Sequence, residues 1–409
     1  LGIQIFPEHK GENIGNADLL VYSSAIQKDN PEIQEAQNRR IPIIRRAEML
    51  GELMRLKYTL AIAGTHGKTT TTSLVGCILE TAEVDPTIIV GGIVKGKGSG
   101  AKVGRGNYLV AESDEFDRSF LSMMPSSAII TNIDEDHLDT YADLQEIKEA
   151  FVEFSNKVPF YGQIIVCLDD ANVQSVLSRL RKPVVTYGFN RQAKYRIENL
   201  NFDSGLPCFE VLNDGVSLGK FTLKIPGTHN VLNATAAIAL TNEENIPIEI
   251  IRKAVASFEG VKRRFEYLGK TKSGAFVYDD YAHHPTEVAA TLQGFRDTFP
   301  DKRLIVAFQP HLFSRTRDHY ETFGSVFSNC DELLVCDIYP ARELPIEGVT
   351  GELISKSAQE RGHRDARFVG EKENVLSTLS GTLSEKDLVV LMGAGNITQL
   401  GRQLLENDF

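Results

Sequence analysis

The chain of 409 residues is 42% hydrophobic and 24% charged, an ordinary composition for a soluble globular protein but too long for one core, so two or three domains are expected. Forty-four basic against 55 acidic side chains leave a net charge of −11, which argues against a nonspecific grip on nucleic acid or anionic membrane. Cys77, Cys167, Cys208, Cys330 and Cys336 show no C-x-x-C spacing, no apolar run approaches the roughly 18 residues of a membrane helix, and LGIQIFPEHK lacks a signal layout, so a disulfide framework, a zinc site and a membrane span are all disfavoured and the chain reads as cytoplasmic.

Residues 1–57 hold short α/β-like pieces, among them ADLLVYSSAI at 17–26, and read as a small first unit. A fresh apolar strand then begins at 58 and runs into a glycine-bounded turn in YTLAIAGTHGKTTTTS. This is the layout of a phosphate-binding loop, with Gly64, Thr65, His66, Gly67, Lys68, Thr69 and Thr70 as candidate contacts. Free backbone N–H groups and the positive helix end point at an anion, Lys68 adds a point charge, and a following hydroxyl can ligate Mg²⁺. The strict eight-residue pattern would need glycine where Ile62 stands; Gly64 takes over as the leading glycine. A nucleoside triphosphate is the first ligand to consider, and an ordinary strand–turn–helix with a surface lysine is the alternative.

From about 58 to 260 the apolar runs NYLVAESDE (107–115), SSAIITNID (126–134) and GQIIVCLDD (162–170) alternate with helical stretches, as in a parallel sheet with helices on its faces. Glu112 lies just past one strand, where an acid would complete a Mg²⁺ site or simply be solvated. His137 follows another strand among Asp134, Glu135, Asp136 and Asp139, either as a ligand of a second metal or hydrogen-bonded to those acids. Leu144, Ile147, Phe151, Phe154 and Val158 recur at helical spacing and read as core packing. Between 184 and 225 shorter strands with turn residues predict an antiparallel insert.

GTHNVLNATAAIA (227–239) predicts a loop opening an alanine-rich helix, with Asn230 as its N-cap, a nucleotide contact or both, and Asn233 beside it. Arg263 and Arg264, in a predicted interdomain segment, suit an arginine finger or a solvated pair. The rhythm restarts in AFVYDDYAHHP, RLIVAFQPH, ELLVCDIYP and DLVVLMGAGN, a doubly wound domain whose polar strand ends should share one face and bind the acceptor. Asp280, Tyr281, His283 and His284 crowd one strand-to-helix turn, with Pro285 suited to the first helical position. At the next such turn Arg315 and Arg317 suit a carboxylate or phosphate, or else an exposed ion-paired helix start.

With VYSSAI, AGTHGKTTTT, AESDE, TNIDEDHLDTY, GTHNVLNATAAIA, DDYAHHPTEV, FQPH followed by SRTRD, and IYPAREL in hand, the chain resembles, nearly end to end, the Mur ligases, ATP-dependent amide-forming enzymes of peptidoglycan synthesis. The resemblance implies an α/β, three-domain architecture: a partial Rossmann-like UDP-sugar domain at 1–57, a central P-loop ATPase domain at 58–262 and a C-terminal Rossmann-like amino-acid domain at 263–409. By motif it implies that Lys68 and Thr69 hold the ATP phosphates and first Mg²⁺ with Glu112, and that His137 reaches a second Mg²⁺. It likewise assigns Asn230, Asn233, Arg264 and Asp280 to the nucleotide, and His283 and Arg315 to the acceptor side.

Two departures stand out. Family members open with a glycine-rich strand–turn–helix that would precede residue 1, so the first domain is expected to be truncated by about one βαβ unit. Many members also carry arginine where this chain has Leu312. Lys148 is the nearest lysine to the carbamylated position of some siblings, but it falls on the predicted helix at a spacing that gives no alignment, and the sequence does not decide that modification. In the implied reaction the lactyl carboxylate of UDP-N-acetylmuramate attacks the γ-phosphate of ATP, and the amine of L-alanine attacks the acyl phosphate. The protein would act as a monomer or homodimer. The rival expectations are a ligase adding a preformed peptide, a nucleotide-binding module without turnover, and a P-loop switch that hydrolyses ATP without an acceptor.

Overall fold

The computed structural model describes residues 3–95, 99–136, 140–203, 205–341 and 343–406. Two compact units emerge: Leu1–Lys68 with Val84–Ile89 and Lys102–Thr186, and Thr69–Glu83 with Val90–Ala101 and Tyr187–Phe409. In the first, Leu20–Tyr22 and Ile43–Arg45 form a small parallel pair. Helix Pro31–Asn38 starts where the Asn30 side chain accepts from the Glu32 N–H and proline takes the first turn.

The larger sheet of this unit runs, neighbour to neighbour, Ile164–Cys167, Ser127–Ile130, Tyr58–Ala63, Tyr108–Glu112 and Thr87–Ile89, with parallel pairing throughout. Thr59–Ala63 are buried without interruption, as befits a strand covered on both faces. Helix Leu144–Asn156 is capped by Asp143, whose carboxylate accepts the Glu146 N–H at 2.9 Å. Its expected stripe is core packing: Ile147, Phe151 and Phe154 are buried with Val158 just beyond the helix, Leu144 packs at the edge, and Phe120 stacks on Phe154 at 5.0 Å.

In the second unit the stretch read as an antiparallel insert is Tyr195–Asp203, Leu206–Asn213 and Val216–Thr222. Asp214 and Gly215, at φ 48° and 81°, close the second hairpin in the left-handed region that a two-residue Asp-Gly turn requires. The C-terminal sheet runs Glu266–Lys270, Phe276–Asp280, Asp387–Met392, Arg303–Phe308, Glu332–Cys336 and Ala366–Gly370, with only the first strand antiparallel. Register sets Asp280 and Phe308 both level with Met392, so the polar segments after these strands leave from one edge, as the sequence pattern predicts. The five cysteines are free thiols. Among the described residues no helix is long and apolar enough to cross a membrane.

Candidate functional site

Strand Tyr58–Ala63 of the first unit ends at Gly64, and helix Lys68–Thr81, from Thr69 onward part of the second unit, begins four residues later. Gly64 has φ +135°, and a Cβ there would lie 1.9 Å from Thr131 Oγ1; the turn requires glycine for both reasons. Gly67 follows at φ +84°. The Thr65 N–H donates to Asn132 O at 3.2 Å and the His66 N–H to Asn132 Oδ1 at 2.8 Å. His66 O accepts from Thr131 Oγ1 at 2.6 Å and from Asn132 Nδ2 at 3.0 Å, while His66 Nε2 sits 3.0 Å from Asp134 Oδ2. With those two amides committed to Asn132, an anion at this turn meets the N–H groups of Gly67 and of the opening helix turn, which have no intrahelical partner.

Lys68 Nζ donates to Gly64 O at 2.8 Å, Thr65 O at 3.1 Å and Glu115 Oε2 at 2.7 Å, and lies 3.6 Å from Asp114 Oδ1. Burial alone would push the ammonium down, yet Glu115 and Asp114 hold it above its ordinary range, so it stays charged. Burial pushes the Glu115 carboxyl up to about 7, with Lys68 offsetting only part. Tyr141, itself buried, donates its hydroxyl to Glu115 O at 2.7 Å. Glu112 closes its strand half-exposed, Thr69 is half-buried and Thr70 buried. The Thr69 hydroxyl and the Glu112 carboxylate are each a hard oxygen donor of the kind Mg²⁺ takes. His137 lies outside the described residues.

In the second unit helix Thr228–Glu243 is preceded by Gly227 at φ +96° in the N-cap position. This corrects the reading of Asn230 as N-cap: it sits inside the first turn, buried, and donates Nδ2 to Pro226 O at 2.6 Å. Asn233, also buried, donates to Asn230 Oδ1 at 3.4 Å. Burial and the neighbouring Arg264 guanidinium push His229 down to about 4, leaving it neutral at physiological pH.

Arg263 and Phe265 hold φ of 59° and 50°, a costly backbone for side chains of this size. The structure retains them by capturing the segment from several sides. Phe265 N–H donates to Asp280 Oδ2 at 2.7 Å, Arg263 N–H to Glu266 Oε2 at 2.7 Å, and the Tyr281 N–H returns to Arg263 O at 2.7 Å. Asp280 also accepts from the Ala282 N–H at 2.9 Å, so this buried carboxylate braces backbone. Neither reading of the arginine pair, finger or solvated, anticipated its seat, with both guanidinium carbons about 5 Å from the Tyr281 ring centroid, at 4.9 and 5.1 Å.

Asp279 beside it is buried, accepts from Thr398 Oγ1 at 2.6 Å, and is pushed by burial up to about 6 from 3.8, with Thr398 and Arg263 offsetting only part. Between those values the native state binds more protons than the unfolded chain, so this carboxyl's contribution to stability falls as pH rises. Asp279→Asn removes that slope. We expect the variant's melting temperature, relative to the parent, to improve from pH 4 to about pH 6 and to level off above it in thermal unfolding; a difference without pH trend would count against it.

Helix Pro285–Thr298 begins with proline at its first position, as the sequence predicts. Glu287, on its first turn, accepts from the His283 N–H at 3.1 Å and lies 3.1 Å from His283 Nδ1 and 3.4 Å from Arg264 Nη1. It thereby gathers Arg264 and His283, two residues selected from separate motifs. The two arginines after the next strand part company. Arg315 is buried with Nη1 3.4 Å from His311 Nδ1, whereas Arg317 is exposed and paired with Asp318 at 2.7 Å, the ion-paired surface arrangement. His311 lies against Tyr339, ring centroids 5.8 Å apart and nearly parallel. Leu312 holds φ 72° at the N-cap of helix Phe313–Val326, whose Ser314 N–H donates to Glu343 Oε2 at 3.0 Å.

Thr131, Asn132, Glu115, Glu287, His229 and His311 were not among the residues selected from sequence. All six lie inside quoted motifs, but only Glu287 carried a signal of its own role, as an acid at the third position of a proline-opened helix, where a carboxylate reaches back over the cap.

Three family models match the chain: the Mur ligase family catalytic domain at residues 1–58, the Mur ligase middle domain at 62–241, and the Mur ligase glutamate ligase domain at 263–395. A UDP-N-acetylmuramate–L-alanine ligase of Geobacter sp. (strain M21) is 48% identical over 405 residues, which cover 99% of this chain and 88% of that protein. The crystal structure of the UDP-N-acetylmuramate-alanine ligase MurC from Thermotoga maritima matches with a TM-score of 0.82 at 30% identity, covering 99% of this chain and 88% of its own. The MurF ligase from Thermotoga maritima in complex with ADP shares the fold, with a TM-score of 0.70 at 16% identity, over 97% of this chain and 95% of that one.

Proposed function

The chain belongs to the Mur ligase family, and on that premise we propose that it joins L-alanine to the lactyl carboxylate of UDP-N-acetylmuramate, with ATP cleavage and an acyl-phosphate intermediate, in peptidoglycan precursor synthesis. The observation that carries this reading is 48% identity along 99% of the chain to a relative named for that activity. We take the three domains to be 1–57, 58–262 and 263–409, close to the family models at 1–58, 62–241 and 263–395.

A carboxylate is a poor acyl donor because amide formation would expel oxide; phosphorylation supplies a leaving group. We assign the ATP phosphates to the turn Gly64–Gly67, Lys68 and the first amides of its helix, where a buried ammonium offsets the charge that develops during phosphoryl transfer. Thr69 and Glu112 would hold Mg²⁺, which when bound neutralises phosphate charge. His137 we keep as the second metal's ligand on its motif alone. Asn230, Asn233 and Arg264 are assigned to the nucleotide, with Asp280 acting through the backbone it braces. His283 and Arg315 are assigned to the acceptor, Arg315 toward its carboxylate. We take the protein to be a cytoplasmic monomer or homodimer; the net charge of −11 fits a chain without nucleic-acid or anionic membrane partners.

The test is ADP release from Mg²⁺–ATP with UDP-N-acetylmuramate and L-alanine, each omitted in turn. Release is expected only with both present, and a tripeptide in place of L-alanine should not support it. Release without any acceptor would point instead to a P-loop hydrolase.

A further inference from the structure

The tip of the phosphate turn lies beyond the strand ladder, whose last pairing on this side is Ala63 with Ile130. The His66 peptide is nevertheless held on both of its polar groups by one side chain. Its N–H donates to Asn132 Oδ1 at 2.8 Å and its carbonyl accepts from Asn132 Nδ2 at 3.0 Å, the paired arrangement a neighbouring strand would supply. Thr131 Oγ1 adds a third bond, at 2.6 Å, to the same carbonyl. Thr65 is held on the flank, its N–H by Asn132 O at 3.2 Å and its Oγ1 by the Asp134 N–H at 2.9 Å.

The segment that provides these bonds is itself anchored. Thr131 N–H donates to Ala63 O at 3.1 Å, Ile133 is in the core, and Asn172 Nδ2 donates to Ile133 O at 2.8 Å. Gly64 approaches Thr131 so closely that a Cβ there would lie 1.9 Å from Thr131 Oγ1. We propose that Asn132, seconded by Thr131, is a positioning residue that sets the shape of the ATP phosphate cradle by acting as a side-chain strand partner to His66. It fixes the peptide from which Gly67, Lys68 and the opening helix turn follow, so their N–H groups converge on one anion without Asn132 touching it.

The proposal rests on the reading of Gly64–Thr70 as that cradle, so Lys68→Ala enters the experiment as a control. In the full chain, ATP affinity is measured without other substrates, and KM for each substrate with kcat at saturating ATP, for Asn132→Leu, Thr131→Val and Thr131→Ser. Loss of the two Asn132 bonds should weaken ATP affinity and raise its KM by about tenfold or more. KM for UDP-N-acetylmuramate and L-alanine should stay within about twofold, and kcat should be recovered at saturating ATP. Thr131→Val should raise the KM for ATP by about threefold to tenfold, while Thr131→Ser, which keeps the hydroxyl, stays near the parent.

A merely structural role would lower the active fraction, and with it kcat, at unchanged KM. Unchanged ATP affinity in both Asn132→Leu and Thr131→Val, with Lys68→Ala weakened, would overturn the positioning role alone. Unchanged affinity in Lys68→Ala as well would overturn the cradle. If Asn132→Leu does not fold, the Thr131 pair decides.

Discussion

Lys68→Ala is expected to lose about a thousandfold or more of turnover and to bind ATP more weakly, because it removes the largely buried ammonium at the turn to which we assign the ATP phosphates. The ammonium already makes three hydrogen bonds in this structure, to Gly64 O, Thr65 O and Glu115 Oε2, so phosphate contact means exchange of a partner rather than recruitment of an idle group. Its removal also takes the Lys68 ion pair from Glu115, whose side chain is only 2% exposed. Stranding one partner of a buried pair costs about 3–5 kcal/mol, and the cost here should be lower because the Glu115 carboxyl, already raised to about 7, can take up a proton.

Activity and stability are therefore separable. Lys68→Ala with Glu115→Gln should recover most of the lost melting temperature and none of the turnover. An unchanged kcat in the single variant would sink the role of Lys68, and recovery of turnover in the double variant would show that the defect was one of folding.

Arg315→Ala is expected to raise the KM for L-alanine by roughly 10- to 100-fold, the worth of a charge-assisted hydrogen bond to a carboxylate of about 1.5–3 kcal/mol, with kcat within a few fold. Burial distinguishes it from Arg317: Arg315 is turned inward beside His311, where a carboxylate would be held out of water, and Arg317 is already neutralised at the surface by Asp318. Arg315→Lys should not restore the KM, since a point charge on a flexible stem does not reproduce a planar two-pronged donor. Varying each substrate in turn decides the matter. A rise confined to ATP would move Arg315 to the nucleotide, and no rise at all would remove it from the site.

Much of this was legible in the chain because the signals are local. Gly64, Gly67 and Lys68 identify themselves within five residues, since a turn that admits an anion at a helix start needs glycine backbone and a nearby cation. The C-terminal sheet announced itself through four apolar runs ending in polar residues, and the 144–156 helix through its stripe. Asn230 shows where local signals mislead: asparagine near a helix start reads as an N-cap, but Gly227, at φ +96°, takes that position and Asn230 turns into the first turn.

The sequence by itself determined the kind of chemistry, through motifs whose function lies in the spacing of a few adjacent residues. Tertiary structure alone decided what holds those motifs in shape: Asn132 on His66, 66 residues away, Glu115 on Lys68, 47 away, and Asp280 on Phe265, 15 away. Each is a hydrogen bond or ion pair between groups that parallel-strand register or a strand-to-strand connection brings level. No periodicity along the chain records which strand lies beside which, so these partners appear only once the sheets are assembled.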